Sequence, residues 1–105
     1  MGYELRGKGG NVDLRIEIWG QLLKVAEKNG WHPAGTLPPG DWIESLGKWD
    51  GRYCSNDGQE VTDADARSLG QSLMRALEDS EWKGIPRSMI REFSDFCLDG
   101  RFAIW

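Results

Sequence analysis

Between residues 12 and 26 the hydrophobic period of the chain changes, and that change limits what it can fold into. In residues 12–18, Val12, Leu14, Ile16 and Ile18 alternate with Asp13, Arg15 and Glu17. This is the period of a strand with one buried face. Directly afterwards Trp19, Leu22, Leu23 and Ala26 recur at helical spacing. Upstream, Tyr3 and Leu5 alternate with Glu4 and Arg6, and the Gly-Lys-Gly-Gly-Asn stretch from Gly7 tolerates a tight reversal. The pattern predicts a hairpin of residues 2–7 with 11–18, followed by a helix over 19–29 that Gly30 ends.

Downstream, residues 30–52 are rich in glycine and proline. Within them Asp41 and Glu44 have capping-box spacing before Gly47, which predicts a helical turn or two at 41–46. Arg52 to Thr62 reads as a small hairpin or tight turn about Asn56-Asp57-Gly58. Thr62 is a good N-cap with Asp65 as its partner, and Ala66, Leu69, Leu73, Ala76 and Leu77 form the apolar stripe of a helix over 63–79. Trp82 marks a connection. Pro86 suits a first helical turn, and Met89, Ile90, Phe93, Phe96 and Cys97 give a third amphipathic helix over 86–98. Arg-Phe-Ala-Ile-Trp closes the chain as an apolar strand that can pair with the hairpin. The expected architecture is a single α+β domain over 1–105. A small antiparallel sheet packs against about three helices, in the order β-β-α-(loop)-α-α-β.

Composition narrows function. The chain of 105 residues is 39% hydrophobic and 29% charged, which is globular and not disordered. Its net charge of −4 repels phosphate backbones, so no nucleic-acid partner is expected. No apolar run approaches a membrane span, and none is expected to bind a membrane. Two cysteines do not make a disulfide framework, and the expected location is cytoplasmic with free thiols.

The acidic stretch around Asn56-Asp57-Gly58 invites a calcium reading. With Gly58 in the sixth position of an EF-hand loop, position one is Tyr53 and position twelve is Ala64, so the first ligand and the bidentate carboxylate are missing. Asp63 and Asp65 fit better as acids at a helix N-terminus. Zinc lacks paired ligand spacing, so neither metal nor cofactor is expected. For nucleophilic catalysis the candidates are Cys54, Cys97 and His32. Cys97 falls on the apolar stripe of the third helix, Cys54 reads as a half-buried strand residue, and His32 precedes Pro33 in a loop. No catalytic residue is assigned, and the chain is expected not to be an enzyme.

The motifs Gly30-Trp31-x-Pro33-x-Gly35-Thr36, Asn56-Asp57-Gly58-Gln59, Asp65-Ala66 and the Phe102–Trp105 end come in an order that resembles a family of small bacterial proteins without an assigned function. That resemblance implies a helix ending at the first motif, a turn leading into a helix at the second, and an apolar terminal strand. It implies no residue roles.

Six tryptophans are the compositional outlier. Aromatics either plug an irregular segment onto the core or line a site, where they anchor interfaces and pockets. The candidate binding set is therefore Trp31, His32, Trp42, Trp49, Tyr53, Asn56 and Asp57. Arg87 and Arg91, four apart on one helical face, are the candidate anion-binding pair. The expected function is a protein-binding inhibitor or adaptor of the immunity or phage counter-defence type. The alternative is a domain that binds a small, nucleotide-like ligand between loop aromatics.

Overall fold

A computed structural model describes residues 2–79 and 84–105. Trp82, read above as a connection, and Lys83, which the sequence places near Arg87 and Arg91 as a third basic residue, lie outside the described residues. The strands are β1 (Gly2–Gly7), β2 (Gly10–Arg15), β3 (Gln59–Val61) and β4 (Phe102–Ile104), and the helices are α1 (Ile16–Lys28), α2 (Asp63–Ala76) and α3 (Arg87–Leu98). The sheet is antiparallel throughout, in the order β2-β1-β4-β3. The α+β architecture, the N-terminal hairpin and its pairing with the C-terminal strand are as the sequence predicts.

One face of the sheet carries Tyr3, Leu5, Leu14, Val61, Phe102 and Ile104 into the core, and the helices bury their stripes against it. Trp19 lies at the centre with no exposed surface. Phe93 and Phe102 meet it edge to face at 5.7 and 6.3 Å, the geometry the ring quadrupoles favour.

Four boundaries differ from the sequence reading. β2 stops at Arg15 and not at 18, because its partner β1 begins at Gly2, directly opposite Arg15. A strand with no ladder partner gains nothing from staying extended, so residues 16–18 join the helix, where Ile16 is exposed. The chain around Asn56 does not make a local hairpin. Gln59–Val61 instead pairs with β4, adding a strand that the predicted order lacks. α2 ends at Ala76 and not at 79. Pro86, extended at φ −54° and ψ 139°, is the N-cap of α3 and not part of its first turn.

Local chemistry explains the ends that matter for the site. α1 closes in a Schellman arrangement: Gly30 N–H donates to Glu27 O at 3.3 Å and Trp31 N–H to Ala26 O at 3.0 Å. Gly30 has φ +98°, which side-chain-bearing residues rarely adopt. The turn thus aims Trp31 back at the core. Thr62 caps α2, its hydroxyl accepting from Asp65 N–H at 3.3 Å.

Candidate functional site

The irregular segment after α1 divides into an anchored base and a projecting tip. At the base, Asp65 is 3% exposed and accepts three donors that all come from the segment. Trp31 Nε1–H donates at 2.9 Å, Ala34 N–H at 3.3 Å, and the Tyr53 hydroxyl binds the second carboxylate oxygen. The same hydroxyl accepts from Gly35 N–H at 2.9 Å, and Trp31 meets the Tyr53 ring edge to face at 5.3 Å. Tyr53 also offers its carbonyl to Trp19 Nε1–H at 2.8 Å, tying the segment to the middle of the core. Burial, and then the bond to Asp65, push the Tyr53 phenol well above its ordinary pKa.

The second motif is held just as closely. Gln59 is fully buried, and its amide N–H groups donate to Ser55 O at 2.8 Å and Arg52 O at 3.3 Å while its oxygen accepts from Asp57 N–H at 3.0 Å. Gly58 sits at φ +86° under the Trp105 ring and donates to Ile104 O at 2.8 Å. Asn56 and Asp57 point into solvent from this turn. Cys54, predicted half-buried, is exposed beside it, because the segment bends here and is not a strand. Cys97 is in the core as expected, and burial, then the nearby Asp65 charge, raise its thiol pKa.

The tip spans residues 37–51. Its ends are clamped together: Thr36 N–H donates to Gly51 O at 3.1 Å and the Thr36 hydroxyl to Arg52 O at 2.7 Å. Leu37 bridges to Glu60, covering the outer edge of β3. Trp49 Nε1–H donates to Thr36 O at 3.1 Å, and Trp42 meets Trp49 edge to face at 5.0 Å. The Arg52 guanidinium, held by Asp50 at 2.8 Å, lies 4.7 Å from the centre of the Trp49 ring. Both tryptophans are half-exposed. Around them Leu37 is 50%, Ile43 56% and Leu46 63% exposed. Five large apolar residues on one clamped loop are far more than isolated surface leucines.

The structure therefore separates residues that the sequence grouped. Trp31 and Tyr53 are buried or half-buried and hold the loop down. Trp42 and Trp49 lie together at its surface, and His32 is exposed near its base. Arg87 donates to Leu77 O at 2.6 Å and to Asp79 O, so its guanidinium closes the C-terminal end of α2, while Arg91 is exposed one turn on. Asp63 accepts from Arg101 N–H at 2.9 Å, with Lys8 Nζ at 3.9 Å. Ile43 and Leu46 are surface residues that sequence reasoning passed over. Their signal was present: both fall inside the turn predicted at 41–46, of which the structure keeps only a single 3-10 turn at Glu44–Leu46, too short to bury a face.

No protein-family model, no curated protein and no solved structure matches this chain.

Proposed function

We propose that this chain is a non-enzymatic binding domain that acts as an inhibitor or adaptor of another protein. The contact surface is the tip: Trp42, Trp49, Ile43, Leu46 and Leu37, with Arg52 stacked beside them. One observation carries the reading. A loop whose base is fixed to the core by Asp65 and Thr36 nonetheless presents its own large apolar side chains to solvent. Holding them there costs solvation, and a partner that buries them recovers it. Tryptophan beside a stacked arginine is the composition of interface hot spots. The preset loop limits the ordering cost on binding. An immunity or counter-defence role, blocking a target's working surface, fits a small domain of this kind.

The geometry favours a protein over a small planar ligand. Trp42 and Trp49 are inclined at 73° to one another, and Arg52 already lies over Trp49, so no open parallel slot stands between them.

The test is affinity capture from the source cell, comparing the wild type with an Ile43→Asp/Leu46→Asp variant. Both residues lie outside the core, so the variant is expected to keep its melting temperature within about 2 °C. A stoichiometric partner held by the wild type and lost by the folded variant supports the tip. Equal capture by both refutes it.

A further inference from the structure

The two edges of the sheet are treated differently. The β3 edge is closed by the Leu37–Glu60 bridge. The β2 edge is open. Its register with β1 runs unbroken from Gly2–Arg15 to Gly7–Gly10, with no bulge and no proline. In an antiparallel ladder alternate residues point their N–H and C=O groups to opposite sides. Glu4 exchanges both its bonds with Trp105 on the β4 side, at 3.0 and 2.8 Å, so its opposite number Asp13 turns its own pair outward. Asn11, two residues away, does the same. Neither backbone group has a partner among the described residues. Natural sheets seldom leave such an edge unguarded.

Beside this edge lies a groove of about 180 Å³, lined by Val12, Asp13 and Leu14 of β2 and by Met89, Glu92 and Phe93 of α3. Four of the six residues are apolar, and the two charged ones are both acidic. Phe93 forms the buried floor and Met89 is half-buried at the side.

We propose that the β2 edge and this groove bind an extended segment of a partner protein, which adds to the sheet as a fifth strand. Main-chain bonds to Asn11 and Asp13 would fix its register, as in β-strand addition generally. One side chain of leucine or phenylalanine size enters the groove over Phe93. Its sequence neighbours project to the other face of the sheet, where they stand opposite Asn11 and Asp13 when the apolar residue lies opposite Val12, Arg15 being beyond them at the end of β2, and Glu92 rims the groove itself. The segment is therefore basic–apolar–basic in pattern. A second copy of the chain fits less well, since each copy carries a net charge of −4 and brings its own Asp13 to the seam. The site is independent of the tip, which lies beyond the opposite edge of the sheet.

The probe is a blocked synthetic peptide of about eight alternating lysine and apolar residues, long enough for a strand. Binding is followed by fluorescence anisotropy and by amide hydrogen exchange. The expected result is saturable binding with slowed exchange at Asn11 and Asp13. Asp13→Pro removes an outward N–H without touching the β1 ladder, and Met89→Lys fills and charges the groove. Each is expected to weaken binding at least about tenfold. Trp42→Ala is expected to leave it unchanged. Should Asp13→Pro fail to fold, Met89→Lys decides alone. The proposal is overturned by any of four results. These are no binding below about 1 mM peptide, equal affinity for a peptide with its lysines grouped in one block, binding indifferent to the folded variants, or a wild-type dimer that Met89→Lys dissociates.

Discussion

Replacing Asp65 by alanine strips the loop of its anchor, and the cost can be worked out bond by bond. Trp31 is 2% exposed, so its indole N–H stays dry once the carboxylate is gone, and an orphaned buried donor costs about 1–3 kcal/mol. Tyr53 is half-buried and can turn its hydroxyl toward water, which puts its loss nearer 1 kcal/mol. The Ala34 contact is long at 3.3 Å and contributes least. Losing an acid from the first turn of α2 adds about 0.5 kcal/mol. Against these stands the relief of no longer desolvating a carboxylate, which is why the sum is set at about 3 kcal/mol and not higher. For a domain of this size that corresponds to a fall in melting temperature of more than about 10 °C. Asp65→Asn keeps an oxygen for Trp31 and Ala34 but turns an amide toward a hydroxyl that already accepts from Gly35, so about 1–2 kcal/mol is expected. A double-mutant cycle with Tyr53→Phe isolates the coupling, expected at about 1–2 kcal/mol. Urea denaturation followed by tryptophan fluorescence gives the energies, and the Trp31 indole N–H resonance reports the bond itself. A loss below about 1 kcal/mol for Asp65→Ala, with that resonance unmoved, would refute the anchor.

Two further perturbations test the same frame. The raised Tyr53 and Cys97 pKa values mean that the folded chain keeps protons the unfolded chain has released above ordinary values of 10.0 and 9.0. Stability from these groups is thus complete below pH 9 and falls as pH rises past it, and Tyr53→Phe, compared with its own neutral-pH value, is expected to lose less between neutral and strongly alkaline pH. A wild-type denaturation midpoint that stays flat to about pH 11 contradicts this. Gly58→Ala places a Cβ 2.7 Å from the Trp105 ring in a left-handed conformation. It is expected to cost about 2 kcal/mol and to displace the Trp105 ring from the Arg6 guanidinium, which lies 5.0 Å from its centre, visible as a change in near-ultraviolet dichroism. An unchanged spectrum and stability would remove the strained turn from the account.

What the sequence revealed was whatever is decided locally. The α1 stripe, the Thr62 cap and the hairpin reversal each depend on residues within a turn of one another, and each is found. The end of β2 was hidden because the length of β1 sets it. β3 was hidden because three residues carry too little period to read. Asp65 was legible only as a cap, since its donors Trp31 and Tyr53 stand 34 and 12 positions away. The separation of Trp31 from Trp42 and Trp49 was partly readable. A large apolar residue directly after a helix-ending glycine is the position that packs back on the helix.

The glycine-, tryptophan- and aspartate-containing motifs and the exposed tip answer different demands. Gly30-Trp31, Gly35-Thr36, Gln59 and Asp65 fix the two ends of the loop, and the bonds they make are to backbone, to one another, or to the side chains of Tyr53, Ser55 and Trp49. None of them needs a particular residue at 43 or 46. With its ends clamped at Thr36 and Arg52, the tip is a closed surface loop, and such loops accept substitution with little effect on the core. If the tip is the contact surface proposed above, substitutions at Ile43 or Leu46 change what the domain binds before they change whether it folds. Substitutions in the motifs should do the reverse. In this fold the motif residues hold the platform, and on the proposed reading specificity sits in the residues between them.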